Sequence, residues 1–194
     1  MLIRYTIMGI SLFLILALPP VKHVMESYMV GQMIVQLPLL ILAGFFIGKA
    51  ITTKIPIDKG AFNNNGIPGM LLAIFTIAFW MLPRSIDASI NEEIFAIAKY
   101  STLPLLAGIP ISISWRKLNP VAKNFIWANL ISMFVVMGWL YLKSPVRLCN
   151  NYLIGQQLLL GKTYLFLTAI IGITGIFRSF MVDHRTNYIV SEEN

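Results

Sequence analysis

Charge is scarce in this sequence: 12% of its 194 residues are Asp, Glu, Lys or Arg, against roughly 25% in a soluble domain. Cysteine is scarcer still. Cys149 stands alone, so no intrachain disulfide can form and no paired-cysteine metal motif exists. The two histidines, His23 and His184, lie near opposite ends of the chain. A haem-binding bundle needs two histidines inside its helices, and an intramembrane protease needs histidines beside its paired glutamates. Neither reading survives, although Glu92 and Glu93 supply a glutamate pair. No serine sits in a nucleophile-elbow pattern with a histidine available. A glycine-rich phosphate loop is also missing. No internal repeat or low-complexity tract is evident.

Apolar sequence is what the chain has in abundance. Hydrophobic residues make up 57% of it, in long unbroken runs. A helix needs about 20 apolar residues to cross a hydrocarbon core about 30 Å thick. Lipid offers no partner to an open backbone group, so the runs are expected to be helical. They do not alternate in polarity as barrel strands would. The fold class is therefore an all-α, polytopic transmembrane helix bundle forming a single domain over residues 1–194. About six spans are expected, near residues 3–18, 27–49, 67–82, 92–115, 124–142 and 156–177. The first, with Arg4 ahead of an apolar core and Pro19-Pro20 behind it, resembles a signal peptide and is read as an uncleaved first helix. Pro83 should stop the third. Pro104 and Pro110 should kink the fourth.

The net charge of +7 does not mark a nucleic-acid binder, because the basic residues sit in short loops between spans. Lys and Arg favour cytoplasmic loops. Arg4, Lys49, Lys54, Lys59, Arg116, Lys117, Lys123, Arg178 and Arg185 fall on one side, and Lys22, Arg84, Lys143 and Arg147 on the other. This nine-to-four bias predicts both termini in the cytoplasm and localisation to the cytoplasmic (inner) membrane. Trp80, Trp115, Trp127 and Trp139 fall near span ends, as an aromatic belt requires.

Polar residues within the spans cluster toward the outer leaflet. Glu26, Gln32 and Gln36 belong to the second span, Lys99 to the fourth, and Gln156, Gln157 and Lys162 to the sixth. Intramembrane charges usually face the bundle or a water-filled cavity. The plainer reading has Lys99 and Lys162 snorkel to the headgroups. Together with Asp87, these residues predict one outer-leaflet polar pocket: Glu26, Gln32, Asp87, Lys99, Gln156, Gln157 and Lys162. Asp87 and Glu26 are the candidate partners for Lys99. A cavity open to the outer face is expected where Glu26, Met33, Met81, Asp87, Lys99 and Gln157 converge. Met25, Met29 and Met33, spaced four apart, are expected on one helix face. With Met81 they form a candidate Cu(I) set, since thioethers suit that ion. A methionine row is also ordinary core packing.

Three stretches resemble motifs of CtaG-like cytochrome c oxidase assembly proteins. Tyr28–Gly44 (YMVGQMIVQLPLLILAG) is similar to that family's His-Met-x-x-His helix with its Pro-Leu-Leu run. Trp80–Ser89 (WMLPRSIDAS) is similar to its Trp-His-x-Pro-x-x-Tyr-Asp-Ala-Ala turn. Gly155–Gly161 (GQQLLLG) is similar to its Asp-Gln-Gln-x-x-Gly helix start. The matches come in family order. Gln32 and Met81 stand where the family pattern has histidine, Lys99 where a further histidine pair is expected, and Gly155 where it has aspartate. The resemblance implies a shared fold and a non-enzymatic accessory role. It points to an assembly or copper-handling factor for a respiratory or other copper-dependent membrane oxidase, such as a haem–copper oxidase. It does not carry over histidine-based metal binding. Two alternatives stay open: a non-catalytic structural subunit of such a complex, and a lipid- or small-ligand-binding membrane protein.

Overall fold

The computed structural model describes residues 2–54 and 63–181. Lys59, His184 and Arg185 lie outside them. All regular structure among the described residues is helical: α1 (Leu2–Ala17), α2 (Pro19–Ser27), α3 (Leu37–Lys54), α4 (Ile67–Met81), α5 (Pro83–Asn91), α6 (Glu93–Thr102), α7 (Ile109–Ser114), α8 (Pro120–Lys143) and α9 (Ile154–Met181). A π turn over Gly31–Gln36 opens α3, and another over Leu103–Gly108 joins α6 to α7.

Among the described residues, four segments are long and apolar enough to cross a bilayer: Gly31–Thr53, Glu93–Ser114, Pro120–Lys143 and Ile154–Gly175. The pairs α1–α2 and α4–α5 bend by 69° and 71° at their junctions, and the number rises to six if each pair is one span.

Proline sets both bends. Pro19 and Pro83 do stop the preceding helices, but each also starts a new one, at the first helical position where its missing N–H costs nothing. The expected loops after the first and third spans are therefore short helices, α2 and α5. Pro104 and Pro110 are absorbed differently. The π turn over Leu103–Gly108 accommodates the lost hydrogen bond, and Glu93–Ser114 continues as one span. The fifth helix starts four residues earlier than expected, because Asn119 caps it by accepting from the Ala122 N–H at 2.8 Å.

Glycine brings the central helices together. A Cβ on Gly44 would lie 2.2 Å from the Pro104 carbonyl oxygen, and one on Gly108 would lie 2.4 Å from that of Ile41. Only hydrogen fits at this crossing, the small-residue contact by which membrane helices approach closely. On its other flank α3 packs against α1, where Gly9 meets Ala43 and Ile47. Helices α8 and α9 form a separate antiparallel pair that crosses at Gly138 and Gly161. Trp80 departs from the expected belt. It is buried, and its indole N–H donates to Thr102 Oγ1 at 2.8 Å. Trp127 and Trp139 remain exposed.

Candidate functional site

The bend after α1 lays α2 across the end of the bundle and carries Glu26 to Lys99, a residue of α6 with no exposed surface. Lys99 Nζ donates to Glu26 Oε1 at 2.6 Å and to Gln36 Oε1 at 3.1 Å. The Gln36 amide donates to the Tyr100 hydroxyl at 2.8 Å, which donates to the Leu16 carbonyl at 2.9 Å. Helices α1, α2 and α6 and the π turn of the second span are thus tied by one chain of bonds.

A second chain runs from the same π turn. The Gln32 amide donates to Ser89 Oγ at 3.2 Å, and Ser89 donates to the Ile86 carbonyl at 2.8 Å. The Tyr152 hydroxyl meets the Gln32 amide oxygen and lies 2.7 Å from the Glu26 carbonyl. Gln32 and Gln36 are both fully buried. The π turn over Gly31–Gln36 carries both amides into the interior.

Asp87 and Gln157 serve the connection between α8 and α9. Asp87 Oδ2 accepts from the Asn150 N–H at 2.6 Å, and Oδ1 accepts from the Asn151 side-chain amide at 3.2 Å. Gln157 Oε1 accepts from the Leu148 N–H at 2.9 Å, while its amide donates to the Tyr141 carbonyl at 3.2 Å. Of the two candidate partners for Lys99, Glu26 makes the ion pair and Asp87 caps a loop. Cys149 is buried in that loop with Sγ 3.7 Å from the Pro83 carbonyl. Burial, and then the nearby Asp87 charge, push its thiol up to about 12. Burial also raises the Tyr152 phenol, with the Glu26 charge adding to it.

The expected pocket is therefore only partly assembled. Glu26, Gln32 and Lys99 share one network, and Asp87 and Gln157 hold the neighbouring loop. Lys162 is exposed on α9 and takes no part, because its face of the helix looks away from the bundle. Gln156 is half-buried, with Oε1 unbonded among the described residues. Among the described residues, side chains meet where the cavity was expected. These side chains bond to one another and to backbone, and none of Glu26, Met33, Met81, Asp87, Lys99 or Gln157 lines the pocket of about 370 Å³ beside Tyr100.

The methionine row is also altered. Tyr28 is extended at φ −122° and ψ 130°, so the chain turns between Met25 and Met29 and the row does not share one helix face. Met29, Met33 and Met81 are buried in one apolar cluster with Cys149, and Met25 is half-buried outside it. Met33 Sδ accepts from the Tyr141 hydroxyl at 3.6 Å. Among the described residues, no three of His, Cys, Asp and Glu gather to hold a metal ion.

Sequence reasoning passed over Tyr100, Tyr152 and Ser89. Tyr100 adjoins Lys99, and Ser89 lies within the Trp80–Ser89 motif. Both positions were visible, but a hydroxyl carries no charge to flag it. No protein-family model, curated protein or solved structure matches the chain.

Proposed function

We propose that this chain is an integral membrane accessory protein that acts by helix packing, without catalysis of its own. Its role is to assemble or stabilise a respiratory or other copper-dependent membrane oxidase. One observation carries the non-catalytic reading: the polar groups buried at the end of the bundle are bonded to each other and to backbone. Lys99, Glu26, Gln32, Gln36 and Asp87 all have protein partners. The oxidase rests on the three motifs similar to those of CtaG-like proteins. Copper handling would fall to Met29, Met33 and Met81, whose thioethers share a cluster with Cys149.

A stable structural subunit is the second reading. The apolar surface of the terminal pair favours it, since only 11% of the α8 window and 17% of the α9 window are buried, against 39% for Gly31–Thr53. Purification from native membranes in mild detergent separates the two. Stoichiometric recovery with a mature oxidase supports a subunit, and recovery with an immature oxidase alone supports an assembly factor. Isolation as a single species, with oxidase content unchanged by deletion of the gene, overturns both. Cytoplasmic-membrane localisation with both termini inside belongs to the same reading, and the nine-to-four basic bias supports that orientation. Alkaline phosphatase fused after Arg147 should be active and after Lys117 inactive; the reverse pattern inverts the topology.

A further inference from the structure

The pocket of about 370 Å³ is an open groove between α1, α2 and α6, within the roughly 300–1,000 Å³ range of small-ligand sites. Its α6 wall is a single stripe: Glu93, Ala96, Ile97, Tyr100 and Ser101 recur at three- and four-residue spacing. From Glu93 to Ser101 that stripe descends about 12 Å at 1.5 Å per residue. Phe13 and Ala17, one turn apart on α1, face it, and Lys22 on α2 completes the lining, with its ammonium toward the Tyr100 ring.

The lining combines charge with apolar surface. Glu93 opens the fourth span, and Lys22 lies with Nζ 5.9 Å from the Tyr100 ring centroid. Neither makes an ion pair among the described residues, where the one such pair joins Lys99 to Glu26. The apolar part of the lining is Ala17, Ala96, Ile97 and Phe13. The deeper hydroxyls are committed elsewhere, Tyr100 to Leu16 and Ser101 to the Ile97 carbonyl at 2.9 Å. The result is an apolar trough whose lining includes one cation, Lys22, and one anion, Glu93, neither in an ion pair among the described residues.

We propose that this groove holds a bilayer phospholipid with a zwitterionic, primary-ammonium headgroup, phosphatidylethanolamine. Its phosphate meets Lys22 and its ammonium donates to Glu93. The glycerol region and the start of one acyl chain run down past Ala17 and Ala96 to Phe13. A purely anionic headgroup would satisfy Lys22 but set a negative charge against Glu93, so the pair selects as well as binds. A quaternary choline has no N–H for the carboxylate.

Native mass spectrometry of the full chain, released from micelles containing equal phosphatidylethanolamine and phosphatidylglycerol, tests this. The wild type should retain phosphatidylethanolamine about fivefold or more over phosphatidylglycerol, the scale of one complementary charge contact. Glu93→Gln, on the exposed first turn of α6, should bring that preference to about one by removing the partner of the ammonium. Ala17→Phe, at an exposed position, should block the trough and reduce retention of both lipids. Equal retention by the wild type, or Ala17→Phe retaining phosphatidylethanolamine at wild-type level, overturns the proposal.

Discussion

The central spans and the terminal helix pair bury different things. Gly31–Thr53 and Glu93–Ser114 bury a lysine and two glutamines between them, and Glu26 of α2 reaches in to pair with the lysine. Helices α8 and α9 present apolar side chains outward along most of their length, with Phe166 66% and Ile173 67% exposed. Their buried polar anchors gather at one end, around residues 144–157, where Asp87 and Gln157 bind loop backbone. The first region is specified by polar groups whose only alternatives are lipid or an unpaired state. The second is positioned by the capping of its connecting loop.

The largest effect expected from this difference lies at Lys99. Lys99→Met should strand the Glu26 carboxylate and Glu26→Gln the Lys99 ammonium, each costing about 3–5 kcal/mol, as when one partner of a buried pair is removed. The double variant should lose much less than the sum, because no unpaired charge remains. Unfolding in mixed micelles titrated with denaturing detergent measures all three. Single losses under about 1 kcal/mol would place the pair with solvent-exposed ones and remove the distinction between the regions.

Glycine gives the next contrast. Gly44→Ala should cost about 3 kcal/mol, the upper part of the usual overpacking range, because the obstacle is the Pro104 backbone rather than a mobile side chain. Gly172 on α9 has nothing within 4 Å of an added Cβ. Gly172→Ala should therefore stabilise by roughly 0.5–1 kcal/mol through helix propensity alone. Equal effects at the two positions would mean that the central crossing is not the tighter one.

The bundle was legible because six apolar runs are a property of composition and length, which lipid converts directly into helices. The short helices α2 and α5 were not. Each is nine residues long, opens with proline and has mixed polarity, so each reads as a turn. Their 69° and 71° bends decide which charges meet. That is why Glu26 and Asp87 stood as equal partners for Lys99 until the geometry separated them. Lys99 and Lys162 looked alike for a related reason. In a helix apolar on every face, hydrophobic periodicity does not say which side meets protein and which meets lipid. The π turns carry no local signal beyond nearby Pro38 and Pro104, yet they determine how Gln32 and Gln36 enter the core.

The smallest expected loss of stability is at the loop that attaches the terminal pair. Asp87→Asn keeps one acceptor oxygen but turns an N–H₂ toward loop donors, and should cost about 1.5 kcal/mol, the low end for a charged hydrogen bond. Cys149 reports on the same change, since it is the chain's one cysteine and lies in that loop. Its thiol is pushed up to about 12 from 9.0, first by burial and second by the Asp87 charge. The folded state thus favours the neutral thiol. The stability tied to that preference is fully present below pH 9 and is lost as pH rises through the folded value near 12. Only the thiolate is nucleophilic, so iodoacetamide should label the folded wild type slowly at pH 8, with the rate climbing toward pH 12. Asp87→Asn removes the second cause and leaves burial in place. Labelling should become faster at pH 8, and its pH profile should shift to lower pH without reaching that of an exposed thiol. A faster rate with an unshifted profile would assign the effect to loop opening alone. An unchanged rate would show that Asp87 neither holds the loop nor acts on the thiol, and that α8 and α9 are anchored elsewhere.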